Sequence, residues 1–199
     1  MDASVSPSTG NRGPFMFHLK LAPPLEPLLE AVRRLENAGL VVALGGSGLL
    51  GALGLATEAH DWDLTTDSAP DDVAAPLSGI EIERFGPSGI HADHKLRLEG
   101  GAVEIICGFS IRSGASVVCI PTVVSARADG IPLGSPEAWA AAYALLGRAE
   151  KAECLMRWLA RRGADPGVIA RLLAGPLPEV LAARLESLAR IPKRGTRRS

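Results

Sequence analysis

The sequence predicts an α/β fold: a small, twisted, mixed sheet flanked by helices, followed by a C-terminal helical subdomain. Three observations carry that reading. The apolar run Leu40 to Leu44 enters a glycine turn and then a short helix, as a buried strand does when it feeds a helix. Lys95-Leu96-Arg97-Leu98-Glu99 alternates, Gly100-Gly101 turns, and Ala102 to Cys107 returns as a more apolar strand, which is a hairpin signature. Everything after Leu133 has helical spacing and helical punctuation.

The elements follow in order. Residues 1–14, rich in Ser, Pro and Gly, read as a disordered leader with too little apolar surface to offset ordering entropy. Pro24 to Ala38 is a first helix, because Leu25, Leu28, Leu29, Val32 and Leu35 recur at helical spacing before Gly39. Leu40 to Leu44 is a strand, Gly48 to Leu55 a short helix and Trp62 to Thr66 a second strand. Asp67 to Pro70 then turns the chain into a short helix ending near Leu77, and Ile80 to Arg84 alternates as a half-exposed strand. Val117 to Ile120 is one more strand beyond the hairpin. Ser135-Pro136-Glu137 supplies a cap, a proline at the first helical position and a first-turn acid. Trp139, Tyr143 and Leu146 share a face of that helix until Gly147. Three further helices span about Glu150 to Arg162, Pro166 to Ala174 and Pro178 to Ala189, and residues 192–199 form a basic tail.

Composition narrows the function classes. The 199 residues are 47% apolar and 22% charged with a net charge of −1, so no overall field draws in nucleic acid or an acidic membrane. No apolar run approaches the ~18 residues of a membrane span, and the N-terminus lacks a signal-peptide core. Cys107, Cys119 and Cys154 are dispersed among apolar residues and read as buried free thiols of a reducing, cytoplasmic protein. His91-Ala92-Asp93-His94 lacks the fourth ligand and the helix that a zinc site would need.

The glycine turn has two rival uses. Gly46-Ser47-Gly48-Leu49-Leu50-Gly51 spells the dinucleotide fingerprint, and Asp67 sits near the offset of a ribose-binding acid. That fold needs a longer crossover helix than fits before Trp62, and repeating strand-helix units that the chain lacks. A P-loop would need Lys where Ala52 stands. Alternatively, Gly45 and Gly46 let a phosphate approach the backbone, with helix N–H groups and the Ser47 hydroxyl as donors.

The carboxylates bear on the choice. Asp61 and Asp63 are two apart on a strand, so both face one side while Trp62 packs on the other. Such a pair is repulsive alone and sensible around a cation, for which Mg2+ with its preference for oxygen ligands is suited. Glu104 lies in the most apolar strand of the second half, where a lone charge is costly. It must be paired, bound to metal or near a pocket mouth, and a cross-hairpin salt bridge to Lys95 or Arg97 is the plain alternative.

In order and spacing, Gly45-Gly46-Ser47, Asp61-Trp62-Asp63 and Glu104 resemble the nucleotidyltransferase superfamily that includes DNA polymerase beta. The segments Ile131 to Glu137 and Leu146 to Ala152 look like the helical segment after the catalytic sheet in small bacterial relatives of AbiEii-type toxin transferases and aminoglycoside nucleotidyltransferases. The resemblance covers about residues 40–160. It implies a catalytic domain over 15–134 and a helical subdomain over 135–191. It further implies that Asp61, Asp63 and Glu104 hold two Mg2+ (or Mn2+) ions and catalyse transfer. Gly45, Gly46 and Ser47, with Arg148 and Lys151, are then the nucleotide-binding residues.

The implied activity is transfer of a nucleoside monophosphate from an NTP to a hydroxyl on a small molecule, a protein or an RNA end. A long nucleic acid is not expected as a partner, since basic clusters and stacking aromatics are few. Two alternatives stand beside it: a catalytically silent nucleotide-binding or interaction protein of the same fold, and a NAD-binding Rossmann-type domain.

Overall fold

A computed structural model describes residues 19–191. The expected leader (1–14) and basic tail (192–199) lie outside the described residues.

The sheet has seven strands in the order β3-β4-β5-β2-β1-β9-β8, and β6 and β7 form a separate hairpin. In chain order these are β1 Ala43–Leu44, β2 Trp62–Thr66, β3 Ile82–Phe85, β4 His94–Leu98, β5 Val103–Cys107, β6 Ser110–Ser113, β7 Ser116–Cys119, β8 Val124–Ala128 and β9 Ile131–Gly134. The helices are α1 Glu26–Asn37, α2 Gly46–Ala52, α3 Pro70–Ala74 with a 3-10 turn after it, α4 Pro136–Leu145, α5 Ala149–Arg162, α6 Pro166–Leu173 and α7 Glu179–Ala189. The sheet is mixed: β2 runs parallel to β5 and β1 parallel to β9, while β1–β2, β3–β4, β4–β5 and β8–β9 are antiparallel.

Trp62 shows why the sheet forms where it does. Fully buried, it donates its indole N–H to Pro24 O at 3.0 Å and packs beneath Gly48, so β2 is anchored on the face that α2 covers. The alternate residues of β2 are thereby turned to the opposite face. There α4 lies, with Trp139 against Gly45 and Gly134, Phe109 against Trp139 and Trp139 against Tyr143. Helix α4 begins as its residues dictate. Ser135 Oγ accepts from Ala138 N at 3.2 Å, and Glu137 accepts from Ser135 Oγ at 2.6 Å and from Asp165 N at 2.7 Å. The buried Glu137 therefore ties the start of α4 to the start of α6.

Four sequence expectations need correction. The apolar run Leu40 to Leu44 is paired as a strand only over Ala43–Leu44, and Val41 within it is exposed. Residues Ile131 to Gly134, expected as part of the helical segment, form β9 inside the sheet. Its Pro132 and Gly134 mask it as a turn, yet β9 needs a partner on both sides only at Leu133. Strands β6 and β8 were not anticipated, because Ser110–Ser113 and Val124–Ala128 lack a continuous apolar alternation. Of the cysteines only Cys107 is buried, with Cys154 half-buried and Cys119 exposed; all three are free.

Candidate active site

The site is a row of residues crossing the sheet. Strand register places Glu83 opposite Arg97, Arg97 opposite Glu104 and Glu104 opposite Asp63. Gly45 closes the row by donating its N–H to Asp63 O at 2.7 Å. Residues opposite one another in neighbouring strands share a face, so Asp63 and Glu104 stand side by side on the face toward α4.

The glycine turn seats itself on this row. Gly46 has φ +55°, the left-handed region that glycine enters at no steric cost. A Cβ there would lie 1.9 Å from Asp63 Oδ2, and one on Gly45 would lie 1.8 Å from the Trp139 ring. Both glycines are thus required by close approach: Gly46 admits the Asp63 carboxylate, and Gly45 the Trp139 ring of α4. Ser47, half-buried, follows in the first turn of α2.

Electrostatics mark Asp63 as the centre. Burial first, then the neighbouring Asp61 and Glu104, push its carboxyl up from 3.8 to about 7, with Lys95 and Arg148 opposing. Asp61 is thus one of the charges that act on Asp63. Glu104 is also close, though it is engaged elsewhere: Lys95 Nζ sits 2.6 Å from Oε2 and Arg97 Nη2 3.4 Å from Oε1. Both salt bridges named as the plain alternative exist. As a result, among the described residues no three His, Cys, Asp or Glu side chains gather closely enough to enclose a metal ion.

The donor set itself can be tested against Mg2+. Asp61 and Asp63 are two hard oxygen donors whose mutual repulsion a cation would relieve, so they fit. Glu104 fits as a third donor only after exchanging Lys95 for the ion. His60 is exposed. His91 Nδ1 lies 3.4 Å from the buried Asp93, while His94 is exposed, so that motif does not converge on one point.

Arg148 and Lys151 are brought to the site by the α4–α5 corner. Arg148 precedes α5 with its guanidinium 6.0 Å from the Tyr143 ring centre, and Lys151 Nζ lies 5.4 Å from it. Arg148 also acts on the Asp63 carboxyl, opposing its rise. Three neighbours escaped the sequence reading as site residues: Lys95, Trp139 and Tyr143. Lys95 was visible only as one of two hairpin cations, and the two aromatics only as a helical face.

Asp67, the ribose-acid candidate of the Rossmann reading, instead accepts from Thr122 N at 2.9 Å. More decisively, β1 and β2 on either side of the glycine helix are antiparallel, whereas a dinucleotide-binding unit requires parallel strands there. That alternative is set aside.

A crystal structure from Thermotoga maritima, provisionally assigned as a nucleotidyltransferase, superposes on this chain with a TM-score of 0.51 and 27% identity, over 69% of this chain and 93% of its own. The fold is that of the nucleotidyltransferase superfamily. A solution structure of the antibiotic-resistance factor ANT(2'')-Ia also overlaps, at 15% identity and a TM-score of 0.49 over 80% of this chain and 89% of its own. No protein-family model and no curated protein sequence matches the chain. Among the described residues no helix is long and apolar enough to cross a membrane.

Proposed function

We propose that the protein is a metal-dependent nucleotidyltransferase that moves a nucleoside monophosphate from an NTP to a hydroxyl acceptor. The observation that carries this is the Asp63 carboxyl, crowded by Asp61 and Glu104 and roofed by the side-chain-free Gly46. A like-charged cluster of this kind, with Glu104 buried and Asp61 and Asp63 half-buried, is costly unless a cation joins it.

Asp61 and Asp63 are the residues that would hold Mg2+, with Glu104 a further ligand, and the ion would supply neutralisation of the triphosphate and acidify the acceptor hydroxyl. Gly45, Gly46 and Ser47 at the α2 start would bind the phosphates through backbone N–H groups and the Ser47 hydroxyl, although the sides of Gly45 and Gly46 where a Cβ would lie are taken by Trp139 and Asp63. Arg148 and Lys151 have no ion-pair partner among the described residues and stand ready for phosphate oxygens. In the transfer step the acceptor oxygen bonds to the α-phosphorus and the bond to the pyrophosphate oxygen breaks. The hydroxyl proton passes to Glu104.

The acceptor is compact rather than a long nucleic acid. The chain is near neutral, and Arg33 and Arg34, one of its few basic clusters, are both spent on Glu30 at 2.7 Å. The protein acts in the cytoplasm on this reading.

One observation favours the catalytically silent alternative: Glu104 is held by Lys95 and Arg97. Calorimetric titration with ATP, CTP, GTP and UTP in Mg2+, followed by transfer from α-labelled NTP to small-molecule, protein and RNA acceptors, separates the two. Binding followed by label transfer supports the enzyme. Binding without transfer to any acceptor supports the silent protein, and no binding of any NTP refutes both.

A further inference from the structure

Tyr143 is the chain's one tyrosine, and it is fully buried on α4. Its hydroxyl has no hydrogen-bond partner among the described residues. A buried phenol normally finds one, and an orphaned donor at a functional site is a sign that its partner arrives with a ligand. The ring is packed against Trp139, with centroids 5.4 Å apart, so the hydroxyl cannot swing out to solvent without unseating the aromatic lid over Gly45.

The surroundings say what that ligand atom is. Burial first, and then the charge of Asp63, push the phenol's ionisation well above the ordinary range, so the group is a donor and not a base. The charged ends of Arg148 and Lys151 lie 6.0 and 5.4 Å from the ring centre. Two cations therefore lie over the ring that carries the unpartnered O–H donor. That combination selects an oxyanion, and the carboxylate side of the site selects one that brings a cation with it.

We propose that Tyr143 Oη donates a hydrogen bond to a non-bridging phosphate oxygen of the bound nucleotide, making Tyr143 a nucleotide-positioning residue contributed by the helical half. This rests on the nucleotidyltransferase reading above. It also gives α4 a role beyond packing: the helix that closes the sheet face tests whether a phosphate is present.

The test uses the full chain with Tyr143→Phe. Isothermal titration with each of the four NTPs in Mg2+ measures affinity, and thermal melting without nucleotide measures the fold. The expected result is a melting temperature equal to or above that of the wild type, because an unsatisfied buried hydroxyl is removed, with NTP affinity lowered about 10- to 100-fold, as for a hydrogen bond to a charged group. Incorporated 3-fluorotyrosine gives a single 19F resonance from Tyr143, which should shift on NTP addition. If the wild type binds NTP while Tyr143→Phe binds equally well and the resonance does not move, the Tyr143 assignment is wrong and the nucleotidyltransferase reading stands. A lowered melting temperature in Tyr143→Phe would mean that the hydroxyl is satisfied within the protein, which also overturns it. If the wild type binds no NTP, the functional reading falls and the Tyr143 assignment falls with it.

Discussion

Gly46 and Asp63 occupy one space: the carboxylate of Asp63 sits where any side chain at position 46 would begin, 1.9 Å from an ideal Cβ. The positive φ of Gly46 compounds the restriction. Gly46→Ala must therefore either displace Asp63 or unwind the start of α2. The left-handed backbone alone costs about 1–2 kcal/mol for an L-residue, and the clash adds to it. The expected outcome is a lowered melting temperature together with loss of NTP binding. Gly54, which has positive φ and open space around it, is the control: Gly54→Ala should lower stability and leave NTP binding intact.

Asp63 sets a pH dependence with a definite sign. Its folded-state value, about 7, lies above its ordinary 3.8, so the folded protein binds this proton more tightly than the unfolded chain. Its contribution is most favourable below about pH 4, is lost progressively as pH rises to about 7, and is constant above that. The full difference is roughly 4 kcal/mol. Urea unfolding of the metal-free protein at pH 5 and pH 8.5 should show the wild type weaker at the higher pH. Asp63→Asn should remove most of that slope and be the more stable protein at pH 8.5, while losing transfer altogether. Retained transfer in this variant would refute the catalytic assignment.

The contrast between β2 and β9 explains how much the sequence disclosed. Trp62–Thr66 was legible because alternation, a buried tryptophan and Asp63 all demand the same register. Ile131–Gly134 was not, because Pro132 and Gly134 are breakers in isolation and become acceptable only beside β1 and β8, which are distant in sequence. The site divides in the same way. Asp61, Asp63, Glu104 and the glycine turn are local patterns on the sheet. That Lys95 would take Glu104, and that Tyr143 would lie unpartnered in the field of Asp63, depends on strand pairing and on the crossing of α4, which no spacing encodes.

Magnesium should act on the fold as well as on the reaction. A ligand that binds the folded state at a hundred times its dissociation constant stabilises by about 2.7 kcal/mol, a melting-temperature rise of roughly 5–10 °C for a chain of this size. Mg2+ at pH 8 should produce such a rise in the wild type and a much smaller one in Asp61→Asn and Asp63→Asn. An equal rise in all three would show that the ion binds elsewhere.

Lys95 decides between the working enzyme and its silent alternative. Its ammonium lies 2.6 Å from Glu104 Oε2, and both side chains are largely buried, so the pair occupies a position that a metal ion would otherwise claim. Lys95→Met leaves Glu104 with only Arg97, at 3.4 Å. Without metal the variant should lose about 1–3 kcal/mol, since a buried carboxylate has lost its nearer cation. With Mg2+ the outcome depends on what Glu104 is for. If it is a metal ligand held in reserve, removing its competitor raises Mg2+ affinity, and metal restores the lost stability. Calorimetric Mg2+ titrations of wild type and Lys95→Met measure this directly. An unchanged or weaker affinity in the variant would mean that Glu104 serves as half of a structural ion pair, and the two-carboxylate site of Asp61 and Asp63 would then stand alone.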